Sequence, residues 1–238
     1  MDSKKHQGIL GVLGGMGPLA SAEFLKTIYE STLGEREQDA PAVFVYSDPT
    51  FPDRTDAFLS NNEGIVLDKL IAALESLRGL GASRIVICCM TIHHLLPKLS
   101  RDLRQPILSL LDVIFDSLTV ERRKMLLICS NGTRKLKLFE GHEKWESVKD
   151  RIILPNEKDQ QIIHKEIIYP IKKNPDLDGP MRLLKSLLDK YEATSFIAGC
   201  SEIHVLAKHF QQSSANGNRY DCLDPLAIIA NDLAEDRL

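Results

Sequence analysis

The chain has 238 residues, 43% of them apolar, and a formal net charge of −3. This length suits one large domain or two smaller ones, and the apolar content predicts a packed core rather than global disorder. The slightly acidic balance argues against a nucleic-acid binder that works through a broad basic face. The sequence contains no apolar run of the roughly 18 residues that a membrane-spanning helix needs, so no membrane partner is expected.

The N-terminus and the cysteine content together point to a cytoplasmic protein. The polar N-terminal residues 1–7 lack the apolar stretch of a secretory signal. The cysteine count is odd and no CxxC pair occurs, which makes a disulfide framework improbable. The cysteines are Cys88, Cys89, Cys129, Cys200 and Cys222.

The first half of the chain alternates predicted strands and helices. A buried strand over 9–13 leads into a glycine loop, and Pro18 suits the first position of the next helix. Further strands are predicted over 42–46 and 84–88, with an amphipathic helix over 62–80 between them. The pattern is typical of an α/β protein with a mainly parallel sheet.

The glycine loop matches the GxGxxG/A pattern of dinucleotide-binding sites over 15–20. The acidic residue expected about 20 positions later is not convincing, so the match is weak. A more general hypothesis is that backbone N–H groups at this helix start hold an anion such as a carboxylate.

The second half repeats the arrangement. A strand is predicted over 124–129, a polar loop over 130–133 then opens a helix, and a further strand over 195–200 also ends at a cysteine. We interpret this as an internal duplication of two α/β units related by a pseudo-twofold. The first unit would comprise 1–112 plus the C-terminal helix in 222–238, and the second 113–221.

Cys89 and Cys200 are the central functional candidates. Each ends a predicted strand and precedes a predicted helix, where unpaired N–H groups and the helix dipole stabilise a thiolate. Ligand sites of open α/β sheets lie beyond the carboxyl ends of the strands, so both thiols should face one cleft between the units. One thiolate could then remove a proton from a carbon acid while the other thiol returns one to the opposite face. The alternative is that each cysteine is a small apolar residue closing a buried strand.

Arg54 is the candidate anion-binding side chain. It lies in a loop with two prolines and two aspartates after the second strand. A guanidinium can grip a carboxylate with two parallel hydrogen bonds. The alternative is a solvated surface charge.

Five segments of the chain match one known family: 14–20, 52–55, 89–93, 199–202 and 224–225. In these segments the chain resembles the aspartate/glutamate racemase family, the cofactor-independent amino-acid racemases. The resemblance implies two similar α/β domains with mainly parallel four-stranded sheets and an active site in the interdomain cleft. It also implies an amino-acid substrate, no cofactor or metal, and a homodimer.

The same resemblance implies roles for individual residues. Cys89 and Cys200 would be the proton-transfer pair. Arg54 would hold the side-chain carboxylate of the substrate, with assistance from Lys172. Small polar groups would hold the α-carboxylate, and two methionines would complete the substrate contacts: Thr91, Ser130, Thr133 and Ser201, with Met16 and Met90.

Two positions depart from the family pattern. Met90 replaces the usual asparagine and exchanges an amide for an apolar, flexible thioether, which puts the substrate's identity in question. Ser201 replaces the usual threonine and keeps the hydroxyl group.

Three rival hypotheses remain open. The same two-cysteine cleft resembles that of decarboxylases and cis–trans isomerases of small dicarboxylic acids. Alternatively, Cys89 with His93 and Cys200 with His204 could form a tetrahedral zinc site. A degenerate, non-catalytic ligand-binding protein is the third hypothesis, motivated by Met90.

Overall fold

The computed structural model describes residues 8–34, 36–173, 176–213 and 220–238. Residues 1–7, whose polar character predicts that no secretory signal is present, lie outside the described residues. Among the helices in the described ranges, none combines the length and apolar character that a membrane span requires.

The first half of the chain forms a parallel four-stranded sheet in the order β2-β1-β3-β4. Strand β1 pairs with β2 on one side and β3 on the other, and helices connect successive strands. The elements are β1 (Ile9–Gly14), α1 (Pro18–Thr32), β2 (Val43–Ser47), α2 (Arg54–Leu59), α3 (Glu63–Gly79), β3 (Ala82–Ile87), α4 (Arg101–Arg104), β4 (Ile107–Leu108) and α5 (Leu110–Val120).

The second half forms another parallel four-stranded sheet, in the order β6-β5-β7-β8. Each sheet therefore has the same arrangement of first, second, third and fourth strands, as the predicted duplication requires. The elements are β5 (Met125–Cys129), α6 (Asn131–Lys135), α7 (Trp145–Val148), β6 (Ile152–Ile153), α8 (Glu157–Ile162), α9 (Tyr169–Lys173), α10 (Asp178–Lys190), β7 (Ser195–Gly199), α11 (Ser201–Ser213), β8 (Asp221–Leu223) and α12 (Pro225–Ala234).

The central strands are apolar along nearly their whole length because helices cover both faces of each sheet. Every residue of β5 and β7 is buried. A hydrophobic core between the sheets takes residues from both halves of the chain. This core fixes the two units against each other. Its members include Val12, Phe24, Phe115, Leu127 and Ile197.

The segment after Cys89 differs from the prediction. The sequence predicts a helix there, whereas the structure has a 3₁₀ helix over Thr91–Lys98. Pro97 lies inside this segment and has no N–H to donate to a preceding turn, which works against a regular α-helix. Cys200, in contrast, directly precedes the helix α11.

The C-terminal segment begins in the second sheet. The predicted first unit includes 222–238, yet Cys222 and Leu223 belong to β8, which pairs with β7. Helix α12 packs its apolar face into the core shared by both halves, and Ser31 at the end of α1 donates to Asn231 of α12 at 3.2 Å. We propose that the chain returns to the first unit at Pro225, three residues later than predicted.

Candidate active site

The two cysteines occupy equivalent places in the two sheets. Cys89 lies just beyond the end of β3 and Cys200 just beyond the end of β7, and β3 and β7 hold the same position in the strand order. Both thiols are free and buried, at 6% and 7% exposure. Burial raises the pKa of Cys200 well above its ordinary value, and Glu202 and then Cys89 add to the rise.

His93 holds the backbone at Cys89. Its Nε2 accepts the N–H of Leu110 at 3.0 Å, so the ring proton resides on Nδ1 and is donated to the carbonyl oxygen of Cys89, also at 3.0 Å. Burial lowers the pKa of His93 to about 4, which keeps the ring neutral. The side chain thus fixes the turn that presents the first thiol.

Arg54 begins helix α2, whose N-cap is Asp53, and its guanidinium is 8% exposed. Nη2 donates to the carbonyl oxygen of Met16 at 2.8 Å and Nη1 to that of Pro52 at 2.9 Å. Burial lowers the pKa of Arg54, but the nearby Cys89, Asp53 and Glu202 more than offset this, so the pKa is raised overall. The surface-charge alternative is wrong, because Arg54 is buried beside the Cys89 thiol.

Glu202 and Lys172 lie on the Cys200 side of the site. The Cys200 thiol donates to Oε2 of Glu202 at 2.7 Å, and Glu202 is only 2% exposed. Burial lowers the pKa of Lys172, but Glu202 and Cys200 counter this and the pKa is raised. Lys172, placed at the site by the family resemblance, has its Nζ 3.9 Å from Oδ2 of Asp53 in the first half of the chain.

Three hydroxyl groups meet where the units face each other. Thr91 of the first half lies 3.0 Å from Ser130 Oγ and 3.1 Å from Thr133 Oγ1, both of the second half. Gly132 permits this approach, since a Cβ there would lie 2.8 Å from Thr55 Oγ1 and 3.0 Å from Thr91 Cγ2. Three of the four predicted carboxylate-binding hydroxyls are thus brought together, and one of them, Thr91, lies two residues beyond Cys89.

The remaining predicted site residues are also buried. Ser201 contacts the Glu202 carboxylate, with Oγ 3.4 Å from Oε2. Met16 packs in the same apolar cluster as Cys89, and its carbonyl oxygen accepts from Arg54. Met90 is 1% exposed and packs in the core shared by both halves. An apolar residue at this position therefore has an apolar environment.

The histidine proposed as a zinc ligand on the Cys200 side has a different role. His204 is fully buried, and its Nδ1 donates to Asp224 Oδ2 at 2.6 Å while Nε2 contacts Thr27 Oγ1 at 3.0 Å. This bond network joins α1, α11 and the start of α12. Because both ring nitrogens of His204, like those of His93, are bound to protein groups, the zinc hypothesis loses its nitrogen ligands.

The glycine loop accommodates the protein's own groups rather than leaving a dinucleotide cradle. Gly15 has φ +87°, and a Cβ there would lie 2.4 Å from the backbone of Asp48. Gly17 has φ +149°, and a Cβ there would lie 2.3 Å from Oε1 of Glu202. The GxG spacing is thus explained by close packing against the end of β2 and the start of α11.

The sequence patterns did not single out three residues of the site. Glu202 was visible only as part of the 199–202 segment. Asp53 caps α2 and accepts from Tyr169 of the second half at 3.1 Å, with Lys172 Nζ 3.9 Å away. No spacing signal connects 53 with 169, since the contact depends on how the two units pack.

Comparison with known proteins agrees with the fold. The aspartate racemase of Picrophilus torridus is 21% identical, with a TM-score of 0.80 over 97% of this chain and 94% of that one. The glutamate racemase of Campylobacter jejuni subsp. jejuni is 17% identical, with a TM-score of 0.56 over 97% and 86%. An allantoin racemase from Klebsiella pneumoniae is 14% identical, with a TM-score of 0.58 over 98% and 89%.

At these identities the structural likeness shows the fold, namely two parallel four-stranded sheets flanked by helices. The family assignment comes from the sequence profile of the Asp/Glu/hydantoin racemases, which matches residues 13–233. This match covers nearly all of both sheets and every predicted site residue. The chain therefore belongs to the Asp/Glu/hydantoin racemase family, and it is a racemase enzyme.

Proposed function

We propose that the protein racemises an acidic amino acid, aspartate or glutamate, by proton transfer between Cys89 and Cys200 and without a cofactor. One observation carries the choice of substrate class. Within the described residues, Arg54 Nε and Glu202 Oε1 are buried without a hydrogen-bond partner. They are a cationic donor and an acceptor located beside the two thiols, and they match the carboxylate and ammonium groups of an amino acid.

The donor side suits the side-chain carboxylate. Arg54 uses Nη1 and one N–H of Nη2 for carbonyl oxygens, which leaves Nε–H and the second Nη2–H for the two oxygens of a carboxylate. Lys172 adds a second positive charge. The hydroxyl groups of Thr91, Ser130 and Thr133 are then available to the α-carboxylate and to the negative charge that develops on it.

The reaction needs no more than two protons moving in balance. A thiolate on one side removes the α-hydrogen and becomes a thiol, while the thiol on the other side gives its proton to the opposite face and becomes a thiolate. The configuration of the α-carbon inverts, and the one thiol proton of the enzyme is then on the other sulfur. Cys89 and Cys200, at equivalent ends of the two sheets, suit such a transfer.

The experiment is a chiral assay of the purified protein with both enantiomers of aspartate, glutamate, asparagine and glutamine, and with allantoin, without added cofactor. We expect aspartate or glutamate to be racemised and the matching amides to be slower by roughly a hundredfold, because they carry no charge for Arg54. Turnover of allantoin without turnover of the acidic amino acids would contradict the proposal. Absence of any turnover would favour the non-catalytic hypothesis.

Arg54→Lys provides the matched variant. It keeps the positive charge and loses the two-pronged geometry. We expect kcat/KM for the acidic substrate to fall by at least about tenfold, with a smaller change for the amide. Circular dichroism of the variant serves as the check that it is folded.

A homodimer and a cytoplasmic location stay predictions from the sequence and the resemblance. One feature is consistent with a second copy: Phe44 and Val45 on the edge strand β2 are 37% and 41% exposed. Apolar side chains on a sheet edge are usually covered. Sedimentation of the purified protein measures the oligomeric state.

A further inference from the structure

Glu202 is a buried carboxylate in contact with a reacting atom. Oε2 accepts the Cys200 thiol proton at 2.7 Å, and Ser201 Oγ lies 3.4 Å from the same oxygen. Oε1 faces Gly17, whose missing Cβ leaves the room for it. A charged side chain is rarely buried to this extent unless its surroundings compensate it, so its presence here needs an explanation.

The compensation comes from two cations placed asymmetrically. Arg54 interacts with Cys89 and with Glu202, and Lys172 interacts with Glu202 and Cys200. The carboxylate therefore lies between two positive groups. The thiols have different neighbours as a result: a guanidinium lies beside Cys89, while a carboxylate is hydrogen-bonded to Cys200.

We propose that Glu202 is a further catalytic residue, which holds Cys200 as the thiol in the resting enzyme and thereby leaves the resting thiolate on Cys89. This inference rests on the two-cysteine site of the proposed function. The direct Sγ–Oε2 contact carries it, because a carboxylate oxygen can accept a proton from a thiol but can only repel a thiolate.

The groups that act on Cys200 from the surrounding elements support this assignment. Burial raises its pKa most, Glu202 raises it next, and Cys89 raises it further, whereas Lys172 lowers it. Asp53 and Arg54 act in turn on Lys172, in opposite directions. Lys172 therefore limits the effect of Glu202, but the pKa of Cys200 remains raised.

The assignment has a consequence for turnover. When the resting enzyme acts, Cys89 gains the α-proton and Cys200 gives up its own, which leaves a thiolate beside the Glu202 carboxylate. Like charges at that separation repel, so this enzyme form is higher in free energy than the form with its thiolate on Cys89. The resting form is restored when Cys200 takes the α-proton of the opposite enantiomer and Cys89 gives its proton to the other face. The ratio of kcat/KM for the two enantiomers stays fixed by their equal free energies, so Glu202 changes only which enzyme form accumulates.

The test measures thiol ionisation directly. In protein labelled with carbon-13 at the cysteine β-carbon, the chemical shift reports the thiolate regardless of solvent access, and Cys→Ser variants assign the signals. In the wild type we expect the Cys200 signal to be that of a thiol at neutral pH. In Glu202→Gln we expect the Cys200 transition to move down by about one pH unit or more.

Glu30→Gln is the matched control. It removes one negative charge from an exposed pair with Lys208, remote from the proposed site, and should leave both transitions unchanged. Glu202→Asp keeps the charge and should keep the Cys200 transition nearer to the wild-type position than to that of Glu202→Gln. Thermal unfolding shows whether each variant is folded.

Two results overturn the inference: a Cys200 signal that is already that of a thiolate at neutral pH in the wild type, or an unchanged Cys200 transition in folded Glu202→Gln. If Glu202→Gln does not fold, the wild-type result still decides, because it needs no variant. These measurements use no substrate. A negative chiral assay therefore contradicts the proposed function alone, and an unchanged titration contradicts only the role of Glu202.

Discussion

At the scale of single residues, His93 links the chemistry of the site to the stability of the fold. Its two ring nitrogens connect the carbonyl group of Cys89 with the first N–H of α5. Both bonds require a neutral ring with its proton on Nδ1, because a doubly protonated ring cannot accept from Leu110. A proton on Nε2 therefore disrupts the turn that holds the first thiol.

Acid should consequently destabilise the protein through His93. Its pKa is about 4 in the folded state against 6.5 ordinarily, so the folded state binds fewer protons than the unfolded state between these values. The stabilisation is complete above pH 6.5 and is lost as the pH falls towards 4, up to about 3 kcal/mol for this side chain. Denaturant unfolding across this pH range measures the loss.

His93→Gln provides the comparison, since its amide can accept from Leu110 and donate to Cys89 without titrating. We expect the variant to be less stable than the wild type at neutral pH but to lose less of its unfolding free energy between pH 6.5 and 4. Parallel slopes for the two proteins would show that His93 does not titrate in this way.

Residue types and positions predicted part of the site. Cysteines at two strand ends and an arginine in a proline-rich loop are local patterns, and the structure brings both thiols, Arg54 and Lys172 together. Glu202 has no comparable pattern, because a glutamate in the first turn of a helix is usually a solvated residue that favours the helix dipole. Its burial depends on Gly17, which lies in the other half of the chain.

At the scale of elements, the two thiols differ in the type of helix that each one precedes. The prediction places a helix dipole at each cysteine, but only Cys200 precedes an α-helix, α11, and Cys89 precedes a 3₁₀ segment. Positive charge at Cys89 is supplied instead by Arg54 at the start of α2. At Cys200, the carboxylate of Glu202 opposes the effect of the helix start.

The loop between β1 and α1 is predicted to be sensitive to a single methyl group. Gly17→Ala adds a Cβ that would lie 2.3 Å from Oε1 of Glu202, at a backbone φ of +149° that favours glycine. We expect the unfolding free energy to fall by about 1–3 kcal/mol, since both the backbone and the buried carboxylate must shift. Racemase activity should fall as well.

Gly64→Ala in α3 is the control, because a Cβ there meets nothing within 4 Å. We expect it to leave activity unchanged and to stabilise the protein by up to about 1 kcal/mol, as alanine favours helix formation over glycine. Denaturant unfolding and the chiral assay measure both variants. Equal stabilities for the two substitutions would contradict the packing described for Gly17.

At the scale of the whole molecule, the site draws on both halves of the chain, since Thr91 contacts Ser130 and Thr133 and the Glu202 carboxylate packs against Gly17. The alternation of strands and helices, with a cysteine at the end of the third strand of each half, predicts two α/β units. Strand β8 escaped prediction because a three-residue edge strand has too little pattern to distinguish it from a loop.

The relative placement of the units lies beyond local sequence patterns. It depends on a core that mixes residues from both halves and on contacts such as that between Tyr169 and Asp53, which join positions far apart in the chain. Hydrophobic periodicity shows that a surface is buried but not which surface covers it. The family resemblance implies that the two units face each other at the active site, and the structure adds contacts between them such as that of Tyr169 with Asp53.

The most direct test of the two-thiol mechanism is the fate of the α-hydrogen in D₂O with Cys89→Ala and Cys200→Ala, for each enantiomer of the preferred substrate. If each thiol serves one face, both variants lose racemisation, and any remaining deuterium incorporation without inversion affects opposite enantiomers in the two variants. Racemisation at the wild-type rate by either variant, or residual exchange of the same enantiomer by both, would contradict the assignment of one thiol to each face.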